Sequence, residues 1–134
     1  MQTIECFRAT SPSLRIASVL GMLLATTVTA ALAGPADEAK QIGSLAGFRG
    51  GLVIHVGCGD GKLTAALRLA DNCVVQGLDT DAKRVEAARA AVRTLGVYGP
   101  VSIIRWDGKR LPYVDNLATL VVCEDAGAVP PGEI

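Results

Sequence analysis

One stretch of ten residues, LVIHVGCGDG at positions 52–61, constrains the fold of this chain more than any other. Its first half is rich in β-branched side chains and apolar except for His55, which is typical of a strand buried on both faces of a sheet. Glycines then alternate at Gly57, Gly59 and Gly61, where they let the backbone turn sharply and let a ligand approach its N–H groups. The stretch predicts an α/β sheet with a ligand site at the carboxyl end of a strand.

The rest of the chain after residue 33 predicts an alternation of helices and strands. We expect helices over 35–44, 62–70 and 81–95, the last capped by Thr80, because their apolar residues follow helical spacing. We expect strands over 52–56, 73–78, 101–105 and 118–123, and a turn-rich connector over 45–51. This order predicts mainly parallel strands joined by right-handed crossovers.

The first 33 residues carry a different pattern. Arg8 and Arg15 precede the uncharged run 16–33, which ends in the small-x-small sequence Ala31-Leu32-Ala33. These features predict a secretory signal peptide cleaved after Ala33, and therefore an exported, periplasmic or extracellular, domain. The alternative is a membrane anchor, since the uncharged run reaches the lower length limit for spanning a bilayer. Residues 34–50 would then form a lead-in helix and connector, and residues 51–134 the domain.

Charge and cysteine content exclude some partners and sites. The chain has 13 basic and 13 acidic residues, so we expect no nucleic-acid partner. The basic residues of the helix predicted over 81–95 are more simply explained as its solvated outer face. Cys58, Cys73 and Cys123 lack the C-x-x-C spacing of zinc and redox sites, so we expect no metal and favour three buried thiols.

The glycine loop by itself does not identify its ligand. A P-loop is excluded, because Gly61-Lys62 is followed by Leu63 and not by a hydroxyl residue. A dinucleotide loop remains a weak alternative, since its third glycine position is Lys62, which we expect to obstruct close helix–strand packing.

Two acids and a tryptophan at later strand ends favour a third kind of ligand. Asp79 ends the second predicted strand, where its carboxylate could accept hydrogen bonds from ribose hydroxyls. Asp107 follows the third strand, where it could accept from the exocyclic amine of a base. Trp106 beside it offers an apolar ring to a flat heterocycle. Together these residues predict a nucleoside-containing cofactor.

Three segments carry a family resemblance: VIHVGCGDGKLTAAL, VVQGLDTDAKRVEAARA and IIRWDGKRLPYVDN. They resemble the first, second and third signature regions of class I S-adenosylmethionine-dependent methyltransferases, and the similarity runs from about residue 45 to residue 134. The resemblance implies that S-adenosylmethionine is the cofactor. Gly57, Gly59 and Gly61 would hold its methionine and ribose part, Asp79 the ribose hydroxyls, and Asp107 the adenine amine.

The resemblance also implies the fold. We expect a doubly wound, Rossmann-like parallel sheet, truncated to about four strands in the order 3-2-1-4, whereas the family's sheet has seven. We therefore expect the N-terminal portion of a longer polypeptide. The methyl acceptor cannot be inferred from the sequence, and no catalytic acid, base or nucleophile can be named. Glu124 and Asp125 lie near the expected cofactor edge, where solvated loop acids are their simpler interpretation.

Two features leave the function open. His55 stands where the family usually has an acid that helps to anchor the cofactor's ammonium group. A neutral imidazole could accept one hydrogen bond there, or His55 could be a buried histidine satisfied by neighbouring backbone. Export would also separate the domain from the cytoplasmic cofactor. Alternatives are therefore a degenerate, non-catalytic module of a secreted protein, and an NAD-type dinucleotide binder.

One hypothesis concerns Cys58 and Cys123. Both residues lie at the carboxyl ends of strands that the family places side by side. In an oxidising compartment they could form a disulfide across the cofactor mouth.

Overall fold

Helices and strands alternate through residues 34–124, the part of the chain that the computed structural model describes. The elements are α1 (Pro35–Leu45), β1 (Gly51–Val56), α2 (Lys62–Ala66), β2 (Cys73–Asp79), α3 (Ala82–Thr94), β3 (Val101–Arg105) and β4 (Leu120–Cys123). The predicted signal peptide or membrane anchor, and Asp125 with the residues after it, lie outside the described range.

The four strands form one sheet in which every pairing is parallel and the order is β3-β2-β1-β4. This arrangement confirms the Rossmann-like strand order expected from the sequence. Val56, the last residue of β1, pairs with Leu78 of β2 on one side and with Cys123 of β4 on the other. The carboxyl ends of the three strands therefore meet at one edge, where the chain changes direction across the sheet and ligands bind in folds of this kind.

The two faces of the sheet are covered differently. One face, here called the helical face, packs Val53, Val75 and Val122 against buried residues of α1, α2 and α3. Side chains alternate along a strand, so the neighbouring residues point to the opposite face. There Ile54, Val56, Leu78, Val121 and Cys123 are covered by Trp106 and Leu111 from the long β3–β4 connection. We call this second face the connection face.

The helix after the glycine loop is shorter than the sequence predicts. We expected residues 62–70, but α2 ends at Ala66 after five residues. The Leu67 N–H donates to Leu63 O and the Leu67 carbonyl accepts the Cys73 thiol at 3.6 Å. The chain turns back here because Cys73 must enter the sheet beside Gly51.

The helix α3 begins one residue later than expected, with a different cap. The carboxylate of Asp81 accepts the N–H groups of Lys83 at 2.7 Å and Arg84 at 3.3 Å, so Asp81 and not Thr80 is the N-cap. Strand β4 likewise starts at Leu120 and not at residue 118, although the Thr119 N–H already donates to Leu52 O at 2.8 Å.

None of the helices between residues 34 and 124 is long and apolar enough to cross a membrane.

Candidate functional site

The glycine loop after β1 adopts a backbone that favours glycine at all three positions. The φ angles of Gly57, Gly59 and Gly61 are 81°, 50° and 78°, in the left-handed region that side chains with a Cβ rarely adopt. The N–H groups of Gly57 and Cys58 both donate to the Leu78 carbonyl, at 2.8 and 3.2 Å. These bonds tie the loop to the end of β2, so the loop lies directly above the edge where the strands end.

Gly61 serves the packing of two helices. A Cβ at this position would lie 2.8 Å from the Cα of Ala88 in α3, closer than real contacts allow. Lys62 points away from this contact, because its side chain is 65% exposed and pairs with Asp60 at 3.0 Å. The close approach in this structure is made by Gly61, and its partner is helix α3 and not a strand.

Asp79 connects the end of β2 to the glycine loop, although the two are twenty residues apart. The residue is only 3% exposed. Its Oδ1 accepts the Asp81 N–H at 2.9 Å and lies 3.3 Å from the Arg84 Nε, while Oδ2 accepts the Gly59 N–H at 3.3 Å. An anchored carboxylate beside a partly exposed backbone loop can accept further hydrogen bonds from ligand hydroxyls.

A cavity of about 200 Å³ opens above these groups. Its walls are partly apolar and partly charged, which suits a ligand with a flat ring and polar groups. The residues that line it are Val56, Gly57, Gly59, Leu78, Asp79, Thr80, Arg84, Trp106 and Glu124. The structure thus brings Gly57, Gly59, Asp79 and Trp106 from the predicted site into one cavity.

Three predicted site residues lie outside the cavity lining. Gly61 packs against α3, and His55 is buried beneath the loop. Asp107 is exposed and its Oδ1 accepts the Lys109 N–H at 3.0 Å, next to the wall formed by Trp106. Trp106 itself is held by its indole N–H, which donates to the Arg110 carbonyl at 2.6 Å.

Two charged residues of the lining were not predicted as site residues. The sequence pattern predicts a solvated helix face for Arg84 and a solvated loop for Glu124. Arg84 lies in the first turn of α3, the helix that follows the end of β2, so its closeness to Asp79 along the chain is the available signal. Glu124 is the first residue after β4, and β4 ends beside the glycine-loop strand.

His55 is fully buried on the helical face. Its Nδ1 lies 2.8 Å from the hydroxyl of Thr64, whereas Nε2 has no hydrogen-bond partner among residues 34–124 and lies 3.7 Å from Glu124 Oε1. Of the alternatives for His55, a buried histidine satisfied by neighbouring backbone is wrong, because a side-chain hydroxyl satisfies one ring nitrogen only. Burial lowers the pKa of His55 to about 4, although the negative charge of Asp79 acts in the opposite direction, so the imidazole is neutral near pH 7.

No disulfide joins Cys58 to Cys123, so this expectation is corrected. Cys58 packs in the cluster of the helical face and Cys123 in that of the connection face, which places their side chains on opposite sides of the sheet. Burial and the charge of Asp79 raise the pKa of the Cys58 thiol to about 12. Within the described range, no three His, Cys, Asp or Glu side chains come together in a way that could hold a metal ion.

Comparison with known proteins adds a family relationship. A family model described as a methyltransferase domain matches residues 53–133. The methyltransferase GfsG of Streptomyces halstedii is 38% identical over 64 residues, which cover 48% of this chain and 23% of that protein.

Solved structures share the fold. A putative S-adenosyl-L-methionine-dependent methyltransferase from Methanococcus maripaludis is 26% identical with a TM-score of 0.62, and the match covers 69% of this chain and 42% of that one. A geranyl diphosphate methyltransferase in complex with SAM is 19% identical with a TM-score of 0.58, covering 66% and 36%. The Synechocystis magnesium protoporphyrin IX methyltransferase with bound SAH is 24% identical with a TM-score of 0.53, covering 66% and 39%. The chain spans less than half the length of each of these proteins.

Proposed function

This chain belongs to the methyltransferase-domain family, and we propose that it binds S-adenosylmethionine at the carboxyl ends of its strands and transfers the methyl group to an acceptor. One observation carries the proposal: the buried Asp79 carboxylate and the glycine loop meet through the Gly59 N–H at the mouth of a cavity. Three relatives of known structure support the cofactor, because each is described as dependent on or bound to S-adenosylmethionine or its demethylated product.

The residues fit the parts of such a cofactor in the order of the strands. Trp106 follows β3 and offers a ring wall to the adenine, with the exposed Asp107 at the outer rim. Asp79 ends β2 and would accept the ribose hydroxyls. Gly57 and Gly59 follow β1 and let the methionyl part approach the backbone, because a Cβ at either position would strain the loop.

When bound, S-adenosylmethionine supplies a methyl group on a positively charged sulfur. The described residues contribute by holding the cofactor in one orientation, since positioning alone can provide much of the rate of a bimolecular transfer. Residues 34–124 present no side chain that we assign as a general base. The acceptor stays undefined, and the alternative is a degenerate, non-catalytic module that has kept the fold without the cofactor.

The test of the proposal is a binding measurement on the full chain. We expect isothermal titration calorimetry to detect binding of S-adenosylmethionine and S-adenosylhomocysteine but no binding of NAD. Binding of NAD alone would favour the dinucleotide alternative. Absence of binding by all three ligands would favour a non-catalytic module, and either result would overturn the proposal.

Substitutions at the two partners of one ion pair, Asp79 and Arg84, test whether the cofactor binds at the end of β2. Asp79→Asn should weaken the binding of S-adenosylhomocysteine at least about tenfold, because hydrogen bonds to a charged group contribute about 1.5–3 kcal/mol. Its partner Arg84 is 55% exposed, and such pairs contribute about 1 kcal/mol or less, so Arg84→Gln should change the affinity less than about fivefold. Equal losses in the two folded variants would contradict the assignment of Asp79 to the ribose.

We also propose that residues 1–33 direct export, an inference that depends on their sequence pattern alone. N-terminal sequencing of the chain produced in a bacterial host should find Gly34 as the first residue in the exported fraction. Material retained in the membrane with Met1 intact would favour the anchor. Residues 34–50 and 51–134 would then be the lead-in segment and the domain of the mature chain.

A further inference from the structure

The second ring nitrogen of His55 is an unsatisfied polar atom beneath the cavity. The side chain is 0% exposed, and no hydrogen-bond partner for Nε2 exists within residues 34–124. The atom lies 3.7 Å from Glu124 Oε1, so it faces a carboxylate that lines the cavity. Buried polar atoms without partners are rare in folded proteins, and this one calls for an explanation.

The surroundings of the ring favour one tautomer. A neutral imidazole carries its proton on one nitrogen and accepts at the other. If Nδ1 carried the proton, the lone pair of Nε2 would face the Glu124 carboxylate, which is electrostatically unfavourable. If Thr64 instead donates its hydroxyl proton to Nδ1 across 2.8 Å, Nε2 carries the proton and points it at the carboxylate. Thr64 and His55 then act as successive donors, and the Nε2–H group points at the Glu124 carboxylate, which lines the cavity.

Glu124 is well placed to meet a ligand. Its backbone N–H donates to the Val56 carbonyl at 3.0 Å, so the residue continues the β1–β4 pairing past the end of β4. Its side chain is 39% exposed, and Oε2 lies 3.8 Å from the point where a Cβ on Gly59 would be. The carboxylate therefore stands beside the glycine loop, on the side opposite to Asp79.

The charged groups that act on Glu124 are acidic. Burial and the neighbouring acids Glu38, Asp60 and Asp79 raise the pKa of its carboxyl group. Among the lining residues that the structure describes, Arg84 is the one cationic side chain, and it pairs with Asp79. Among residues 34–124 no lysine or arginine forms an ion pair with Glu124. The described part of the chain therefore places no positive charge at this corner of the cavity.

We propose that Glu124, positioned by the Nε2–H group of His55, binds the ammonium group of the cofactor's methionyl part. The inference rests on the proposed function and assigns one end of the ligand. The strand order supports it: Trp106 follows β3 and Asp79 ends β2, where they take the adenosine, so the amino-acid end lies over β1 and β4. Glu124 is a binding residue in this arrangement, and His55 is a positioning residue.

The test compares ligands with and without the ammonium group. Calorimetry on the full chain should show that Glu124→Gln weakens the binding of S-adenosylhomocysteine about tenfold to hundredfold, as expected for loss of a charged hydrogen-bond partner. The same variant should bind the deaminated analogue of S-adenosylhomocysteine, and 5′-methylthioadenosine, within about twofold of the wild type. Glu86→Gln is the matched control: it makes the same change at an exposed carboxylate of α3 that pairs with Arg89, and should leave all three affinities unchanged.

The role of His55 has a separate readout. The chain contains a single histidine, so the ¹⁵N resonances of its ring are unambiguous. We expect them to show a protonated Nε2 in the wild type and a shift of the Nε2 resonance in Glu124→Gln. His55→Phe keeps a buried ring but has no donor. It should weaken the binding of S-adenosylhomocysteine and leave the affinity for methylthioadenosine unchanged.

The outcomes separate the inference from the proposed function. If the wild type binds methylthioadenosine and Glu124→Gln binds S-adenosylhomocysteine normally, or loses all ligands equally, the ammonium assignment is overturned while the function stands. A proton found on Nδ1 overturns the positioning by His55. A wild type that binds none of the nucleosides overturns both.

Discussion

At the scale of single residues, His55 shows how burial decides the chemistry of a side chain. A histidine on the surface would be partly protonated near pH 6.5, and its charge would repel a cationic ligand. The sheet and α2 enclose His55 completely, and this burial lowers its pKa to about 4. The residue therefore stays neutral over the range in which most proteins work, and can act as a hydrogen-bond donor.

The lowered pKa predicts a loss of stability in acid. Between pH 6.5 and 4 the unfolded chain binds a proton at His55 that the folded chain does not, so the free energy of unfolding falls as the pH falls. The full loss from this group is about 3 kcal/mol, reached below pH 4. Urea unfolding at pH 7.5, 5.5 and 4.5 should show this decrease in the wild type.

The His55→Asn variant isolates this contribution, because its amide can contact Thr64 but does not titrate. Carboxylates contribute to the acid dependence of both proteins alike. We expect a flatter pH dependence in the variant, and identical slopes would show that His55 is not buried in the neutral form.

At the scale of elements, the short helix α2 depends on a close contact with α3. Gly61 precedes α2 and abuts Ala88, so Gly61→Ala should destabilise the chain in two ways. Its φ of 78° strains any residue with a Cβ, and the added carbon would meet the Ala88 backbone. Together these effects should cost about 2–4 kcal/mol in urea unfolding.

Gly96 provides the matched control for Gly61. Its φ is 69°, but no atom lies within 4 Å of a Cβ built there. Gly96→Ala should therefore cost only about 1 kcal/mol, from the backbone strain alone. If the two variants are equally stable, the contact between Gly61 and Ala88 does not determine how α2 packs.

At the scale of the whole molecule, the two faces of the sheet keep the thiols of Cys58 and Cys123 apart. Cys58 follows β1 and Cys123 ends the neighbouring strand β4, yet the two residues pack in separate clusters. We predict that mass spectrometry of non-reduced, digested protein finds no peptide linking them, even after export. A linked peptide in folded material would show that the sheet edge opens enough for the two thiols to meet.

The same architecture protects the thiol of Cys58. Burial raises its pKa to about 12, so almost none of it is the reactive thiolate at pH 8. Iodoacetamide should therefore modify this cysteine slowly in the native protein and quickly in urea.

The sequence by itself determined the alternation of strands and helices, the glycine loop and the ends of the strands that bear Asp79 and Trp106. These features are local, because periodicity, positive φ angles and strand ends depend on neighbours in the chain. Together with the family resemblance they also predicted the strand order that the structure confirms.

Only the tertiary structure decided which residues share the cavity. Arg84 and Glu124 enter it, whereas Gly61 and His55 pack behind the loop and Asp107 stays outside the lining. The physical reason is that strand register and burial arise from contacts between residues far apart in sequence. Val56 aligns Leu78 with Cys123 across three strands, and this pairing places the residues that follow them on either side of one loop.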